Sequence, residues 1–295
     1  HMDIYVANDG TANQLWLNNG DGTFTDDALL AGCSVNRQGA TEAGMGVATV
    51  DIDNDGDLDL FMTHLRNETN TLYINEGGFF EDVTTATGLA TASVRYTGFG
   101  MGFADFNHDG ELDLFIANGK VGRGKPQPDP DDPYAEENLL FQGLGQRDFA
   151  EVLPAGGTAN PVIGTSRAAA FGDIDNDGDV DIVIVELGAP VRLLRNLAGS
   201  AGDWIMFRVL NERGGDAIGA IVSVENGGRT QFRPIQTAYS YCASNDPRAH
   251  FGLAQCERVD RVRVRWLNGQ QEDFGAFDTN QIHELRRGRG TTVTE

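Results

Sequence analysis

The feature that most constrains this chain is a nine-residue pattern recurring in one phase. It reads D-x-[DN]-x-D-G-x-x-D and occupies residues 51–59, 105–113 and 173–181. Each copy follows a small-residue approach: Gly46-Val47-Ala48, Gly102-Phe103-Ala104 or Ala170-Phe171-Gly172. Each runs into an apolar stretch at 60–62, 114–116 or 182–184. A second block follows the first two copies, at 70–75 with Phe80-Glu81-Asp82 and at 138–141 with Phe149-Ala150-Glu151. The third copy keeps a fainter trace of it at 191–194. The N-terminus carries the later part of a fourth copy, because 3–7 matches 113–117, and 13–16 with 24–26 matches the second block. The equivalent aspartates are Asp3, Asp59, Asp113 and Asp181, at spacings of 56, 54 and 68 residues. That period is near the length of a β-propeller blade. The longer last interval contains a stretch rich in Pro, Asp and Gly at 121–137, which reads as a long exposed loop.

Each unit reads as four short strands, near 46–51, 58–64, 71–75 and 79–83 in the second unit. Gly, Asn and Asp separate them, as hairpins require, and 18–22 (Asn-Asn-Gly-Asp-Gly) is such a turn. Helix signals are nearly absent. The expected class is all-β, with three complete repeats and one partial repeat over 1–202, and a smaller β-rich domain over 203–295.

The charge follows the repeats. The chain carries a net −22, and residues 1–202 hold 32 acids against 10 bases, while 203–295 hold 12 of each. Nucleic acid and anionic membrane surfaces are disfavoured partners, since phosphate is repelled. No apolar run approaches the roughly 20 residues of a bilayer-spanning helix, so membrane insertion is not expected. The opening His1-Met2 reads as a cloning remnant, and no signal peptide follows it.

Of the 32 acids in the first two thirds, 14 lie in the three loops. Carboxylates or amides at positions 1, 3, 5 and 9 place hard oxygens around one centre, and Gly at position 6 permits the turn that folds the loop over an ion. Six or seven oxygens in flexible geometry suit calcium better than magnesium, and no His/Cys cluster suggests zinc. Without a cation the clustered carboxylates repel and raise one another's pKa. Three Ca²⁺ would take −22 to −16. The second loop, with Asn107 and His108, is expected to be the weakest.

These units resemble FG-GAP/VCBS repeats, the blades of integrin-α-like propellers, over residues 3 to about 200. The resemblance implies about three Ca²⁺, each bound between the first two strands of a blade. The implied ligands are Asp51, Asp53, Asp55, Asp57 (through its carbonyl) and Asp59 in the first loop. In the second they are Asp105, Asn107, Asp109, Glu111 (carbonyl) and Asp113. In the third they are Asp173, Asp175, Asp177, Asp179 (carbonyl) and Asp181.

The last third drops the repeat. Strand-like alternation appears at 204–210, 220–224 and 259–266. In the last of these, Arg261, Arg263 and Arg265 face one side and Val262, Val264 and Trp266 the other. The Arg row reads as a solvated face, with a docking surface for the acidic repeats as the alternative. The stretches 215–220, 246–253 and 259–269 resemble the ASPIC/UnbV domain, and the tandem order resembles the cartilage acidic protein family. Cys242 and Cys256 flank one of these motifs; a disulfide and three buried thiols are both open readings. Asn67-Glu68-Thr69 is a glycosylation sequon.

No nucleophile motif, phosphate loop or paired zinc ligand appears. His64, Asn118 and Glu186 follow equivalent strands, where a propeller presents side chains to a central funnel. The first expectation is a calcium-stabilised binding module for protein or glycan, extracellular or periplasmic. The alternative is an enzyme of lyase, dehydratase or cyclase type, with a small-molecule substrate from natural-product or carbohydrate metabolism.

Overall fold

A computed structural model describes residues 2–198 and 202–293; His1 lies outside them. The regular secondary structure of the described residues is almost all strand, as expected. The partial repeat forms β1 (Ile4–Val6), β2 (Gln14–Asn18) and β3 (Phe24–Asp26), paired in that order. The next forms a four-stranded antiparallel meander of β4 (Val47–Val50), β5 (Asp59–Met62), β6 (Thr71–Glu76) and β7 (Phe79–Asp82). The third sheet has β8 (Gly98–Ala104), β9 (Asp113–Asn118), β11 (Leu139–Gly145) and β12 (Asp148–Glu151). Between β9 and β11 lies the predicted long loop, which ends in β10 (Glu136–Glu137), paired with β13 (Ile163–Gly164). Among the described residues the fourth sheet has three strands, β14 (Ser166–Gly172), β15 (Asp181–Glu186) and β16 (Arg192–Leu194). It lacks the aromatic–acidic block that makes the last strand of the other sheets, which is why the trace there was faint. Two short helices, α1 (Ala28–Ala31) and α2 (Leu89–Ser93), follow β3 and β7; at four and five residues they were too short to leave a periodic signal.

Position in the repeat is legible in hydrogen bonds. The amides of Asn18, Asn75, Gly143 and Asn196 donate to Asp3, Asp59, Asp113 and Asp181 at 2.8, 2.9, 2.9 and 2.8 Å. The four aspartates are therefore equivalent in space, each tying its strand to the third strand of its unit.

The small-residue approaches have a packing reason. A Cβ on Gly46 would overlap the Phe99 carbonyl oxygen, and one on Gly100 would overlap the backbone of Ala168 and Ala169. Neighbouring first strands β4, β8 and β14 thus approach backbone to backbone, which only glycine allows there.

The C-terminal third forms two sheets. One has the order β20 (Ala249–Gly252), β17 (Trp204–Leu210), β23 (Gln281–Arg286). The other has β19 (Arg229–Pro234), β18 (Ile221–Asn226), β21 (Arg258–Arg265), β22 (Gln271–Asp278), β24 (Thr291–Val293). Their facing side chains, including Phe207, Val222, Phe251, Val262, Val264 and Trp266, make one buried core.

The segment between β19 and β20, residues 235–248, runs against the first strands of the repeats. Ser240 alone reaches three of them. Its amide donates to the Val47 carbonyl at 3.1 Å, its Oγ donates to the Ala169 carbonyl at 2.8 Å, and that Oγ accepts the Met101 amide at 2.9 Å. Tyr239 packs against two of the buried clusters of the repeats, its ring stacked on Phe171. This segment stands where an open funnel was expected. His64, Asn118 and Glu186 accordingly do not line a shared opening. Each is buried and held locally, His64 by the Thr69 carbonyl, Asn118 by Asn138 and the Glu137 carbonyl, Glu186 by Arg192.

Candidate metal centres

The three acidic loops share one local construction. Position 1 is a carboxylate that accepts the amides of positions 5 and 6. Asp51 takes Asp55 at 3.2 Å and Gly56 at 3.0 Å; Asp105 takes Asp109 and Gly110 at 3.1 and 2.7 Å; Asp173 takes Asp177 and Gly178 at 3.2 and 3.0 Å. Position 6 has φ of +97°, +93° and +98°, the left-handed region that favours glycine. Position 9 accepts the amide of position 2 on the oxygen not used by the third strand: Ile52 on Asp59, Phe106 on Asp113, Ile174 on Asp181.

Burial gives these carboxylates a cost. Desolvation raises Asp51 to about 6 and Asp59 to about 7, against partial relief from the amide hydrogen bonds. Asp105 and Asp113 rise for the same reason to about 6 and about 7. A hard cation removes that cost by supplying the charge that water no longer screens.

Two of the loops bring their oxygens together. Ligand atoms of Asp51, Asp53 and Asp59 lie within 4.8 Å of one another, as do those of Asp173, Asp175 and Asp177. Asp55 and Asp57 stand outside the first group: Asp55 accepts the Asp57 amide, and Asp57 accepts the Gly77 amide at 3.0 Å. Asp181 stands outside the third group, and Asp179 lies 3.5 Å from His108 Nε2. The second loop forms no such carboxylate cluster among the described residues. Asn107 turns its amide nitrogen to Asp109 at 2.9 Å, and Glu111 pairs with Arg229 at 2.8 Å. Arginines stand on the other two loops, Arg147 on Asp53 and Glu76, and Arg195 on Asp175 and Asp177.

The C-terminal sheets sit directly on the loops. Phe232 touches the place a Cβ of Gly56 would occupy, Arg229 that of Gly110, and the Trp204 indole that of Gly178. Arg248 spans to the third loop, donating to Asn176 Oδ1 and to the Asp173 carbonyl, each at 2.7 Å. The Ala254 amide donates to the His108 carbonyl at 2.8 Å, and a Cβ on Gly252 would overlap the Asp105 carboxylate. The motif at 246–253 is thus a clasp over the second and third loops. His108 joins those loops to each other, its Nε2 3.2 Å from the Gly178 carbonyl.

The docking arginines are therefore Arg229, Arg233 and Arg248. Arg261 and Arg263 instead pair with Glu225 and Asp273 within their own sheet, on a half-exposed face. Sequence reasoning passed over Arg233, a buried cation in the field of Asp105 and Asp51 whose pKa burial lowers to about 10. Its signal was available: Gln231 and Arg233 alternate onto the inward face of β19. Behind them a cavity of about 90 Å³ is lined by Arg233, Arg248, Asp246 and His250. His250 is held neutral, its pKa lowered to about 3 by burial and then by His108 and Arg233, and its ring nitrogens make no well-aligned hydrogen bond among the described residues. All three cysteines are free, Cys33 buried and Cys242 exposed, so neither the disulfide nor three buried thiols describes them.

Comparison with known families agrees with this arrangement. The FG-GAP-like repeat model matches residues 1–62 and 51–116, and the ASPIC and UnbV model matches residues 211–292. Cartilage acidic protein 1 of Xenopus tropicalis is 28% identical over 279 residues. The chain carries FG-GAP-like repeats followed by an ASPIC and UnbV domain, and is similar to cartilage acidic proteins. That relative is matched over 91% of this chain and 40% of its own length. Its Homo sapiens counterpart is 27% identical over 96% of this chain and 42% of its own. The chain thus spans about two fifths of these cartilage acidic protein relatives. Among solved structures, an Agrocybe aegerita lectin described as recognising non-reducing terminal N-acetylglucosamine aligns at a TM-score of 0.33 and 19% identity, over 67% of this chain and 50% of that one.

Proposed function

We propose that this chain is a calcium-stabilised, β-propeller-type binding module of the extracellular space, recognising a protein or glycan ligand. Its repeats over 1–202 and its ASPIC/UnbV portion over 203–295 act as one unit. The observation that carries the reading is the seating of Phe232, Arg229 and Trp204 on the position-6 glycines of the three acidic loops. An ion that sets loop shape then also sets the platform for the C-terminal sheets. The ligand sets proposed are the fifteen loop positions given above, with loops one and three stronger than loop two. The relatives' names, which refer to cartilage, support an extracellular setting.

The test is an array of glycans and extracellular proteins probed with the intact chain in calcium and in chelator. A ligand bound in calcium and released by chelator supports the reading. A ligand held equally well in chelator, by protein that chelator leaves folded and calcium-free, contradicts it.

A further inference from the structure

Arg233 is 8% exposed and forms no ion pair among the described residues. The docking arginines beside it do: Arg229 pairs with Glu111, and Arg248 with Asp246. Neutral acceptors meet two of the Arg233 donors. Nη1 donates to the Phe232 carbonyl at 2.8 Å, and Nη2 to the Gln231 side-chain oxygen at 3.0 Å. Nε is enclosed and has no hydrogen-bond partner among the described residues. Burial lowers the Arg233 pKa only to about 10, so the guanidinium stays charged at neutral pH. A buried cation ordinarily carries a counter-charge, because an unpaired one is expensive to desolvate.

The carboxylates near Arg233 are committed elsewhere. Asp246 accepts Arg248 Nε at 2.7 Å and the Arg248 amide at 2.9 Å. Asp51 and Asp105, whose field reaches Arg233, each accept the amides of positions 5 and 6 of their own loops. Calcium in those loops would draw their remaining charge away from Arg233. His250 is neutral and adds none.

The cavity of about 90 Å³ beside Arg233 gives the missing charge a place. Its walls are drawn from residues 48–250, all interior to the chain. Val50, Phe103, Phe171 and Met206 make much of that wall apolar, so few groups compete for the free donor. At roughly 30 Å³ per water, the space suits one small ion with one or two waters.

We propose that the cavity beside Arg233 is a binding site for a small monovalent anion of the halide class, held against the Arg233 Nε–H. The anion completes the charge balance where the repeats meet the C-terminal sheets. The loop carboxylates answer to the cation in their loop, and Arg233 answers to the anion. The site itself rests on Arg233 and the cavity; that calcium tightens it rests on the calcium reading above.

The probes are bromide and chloride. Crystals of the intact chain, in calcium and in chelator, are soaked in bromide and its anomalous scattering is mapped. In solution, excess broadening of the chloride NMR line reports exchange with a bound state. A bromide peak in the cavity within hydrogen-bonding reach of Arg233 Nε, with broadening that saturates, supports the proposal in either condition. Arg233→Gln is expected to lose the saturable broadening, and Arg265→Gln, at an exposed arginine, to keep it. A cavity holding only water in both conditions, broadening that never saturates (an adventitious ion only), or saturable broadening retained by folded Arg233→Gln overturns the proposal. Should Arg233→Gln not fold, the bromide map and the saturation of the unaltered protein decide. Calorimetry on the same protein reports calcium binding separately. A cavity without bromide in protein that binds calcium therefore fails this proposal alone, and bromide bound in protein that does not take up calcium fails the calcium reading alone.

Discussion

The Trp204 indole lies over Gly178, so close that a Cβ at that glycine would fall inside the ring. One aromatic side chain of the C-terminal sheets is thus a lid on the third acidic loop. Gly178 needs both its φ of +98° and its missing side chain. Gly178→Ala is expected to lower stability by about 1–3 kcal/mol by overpacking and to shift the tryptophan emission. Gly188→Ala, at φ +75° but in open space, is the control and should cost less, leaving emission unchanged. Melting curves with fluorescence detection decide it; equal effects would separate Trp204 from the loop.

The pH dependence of the metal-free protein should run opposite to ordinary acid denaturation. Asp51, Asp59, Asp105 and Asp113 are raised by burial to about 6 or 7, from 3.8 when unfolded. Between those values the folded state holds protons that the unfolded state has released. Their stabilisation is full below about pH 4 and is lost as pH rises through 6 to 7. In chelator, the melting temperature should fall across that window. Saturating calcium should abolish the fall, because the ion takes the protons' place. A flat profile in chelator would contradict the burial of these charges.

Ser240 offers a test of the segment threaded among the repeats. Ser240→Ala leaves the Ala169 carbonyl and the Met101 amide without their buried partner. A loss of about 2 kcal/mol is expected, measured as a lower denaturant midpoint with an unchanged slope. No loss would mean that the segment does not bind the first strands together.

How much of this could be read beforehand follows from period and locality. The phase of Asp59, Asp113 and Asp181 placed every second strand, because a short apolar run repeated in one phase behind a D-G turn has few other readings. The strands 47–50, 59–62, 71–76 and 79–82 fell within one or two residues of expectation for that reason. The clasp of Arg248, the lid of Trp204 and the loops that Arg233 faces were not legible as such. Their partners lie about 26 to 180 residues away, and no local pattern encodes which face of β19 meets a loop. Arg261 and Arg263 keep their reading as a solvated face, and the docking alternative falls instead to Arg229, Arg233 and Arg248, because alternation shows which residues share a face but not what the face meets. The expected funnel failed similarly: residues 235–248 carry no strand signal, yet they occupy the space between the first strands.

The most direct test of the central claim is a calorimetric calcium titration of chelator-treated protein, paired with its melting temperature. Two tighter sites at loops one and three and a weaker third are predicted. Stability should rise with free calcium by mass action, about 2.7 kcal/mol at one hundred times the dissociation constant. Heats near zero, together with a melting temperature that neither calcium nor chelator moves, would contradict the account.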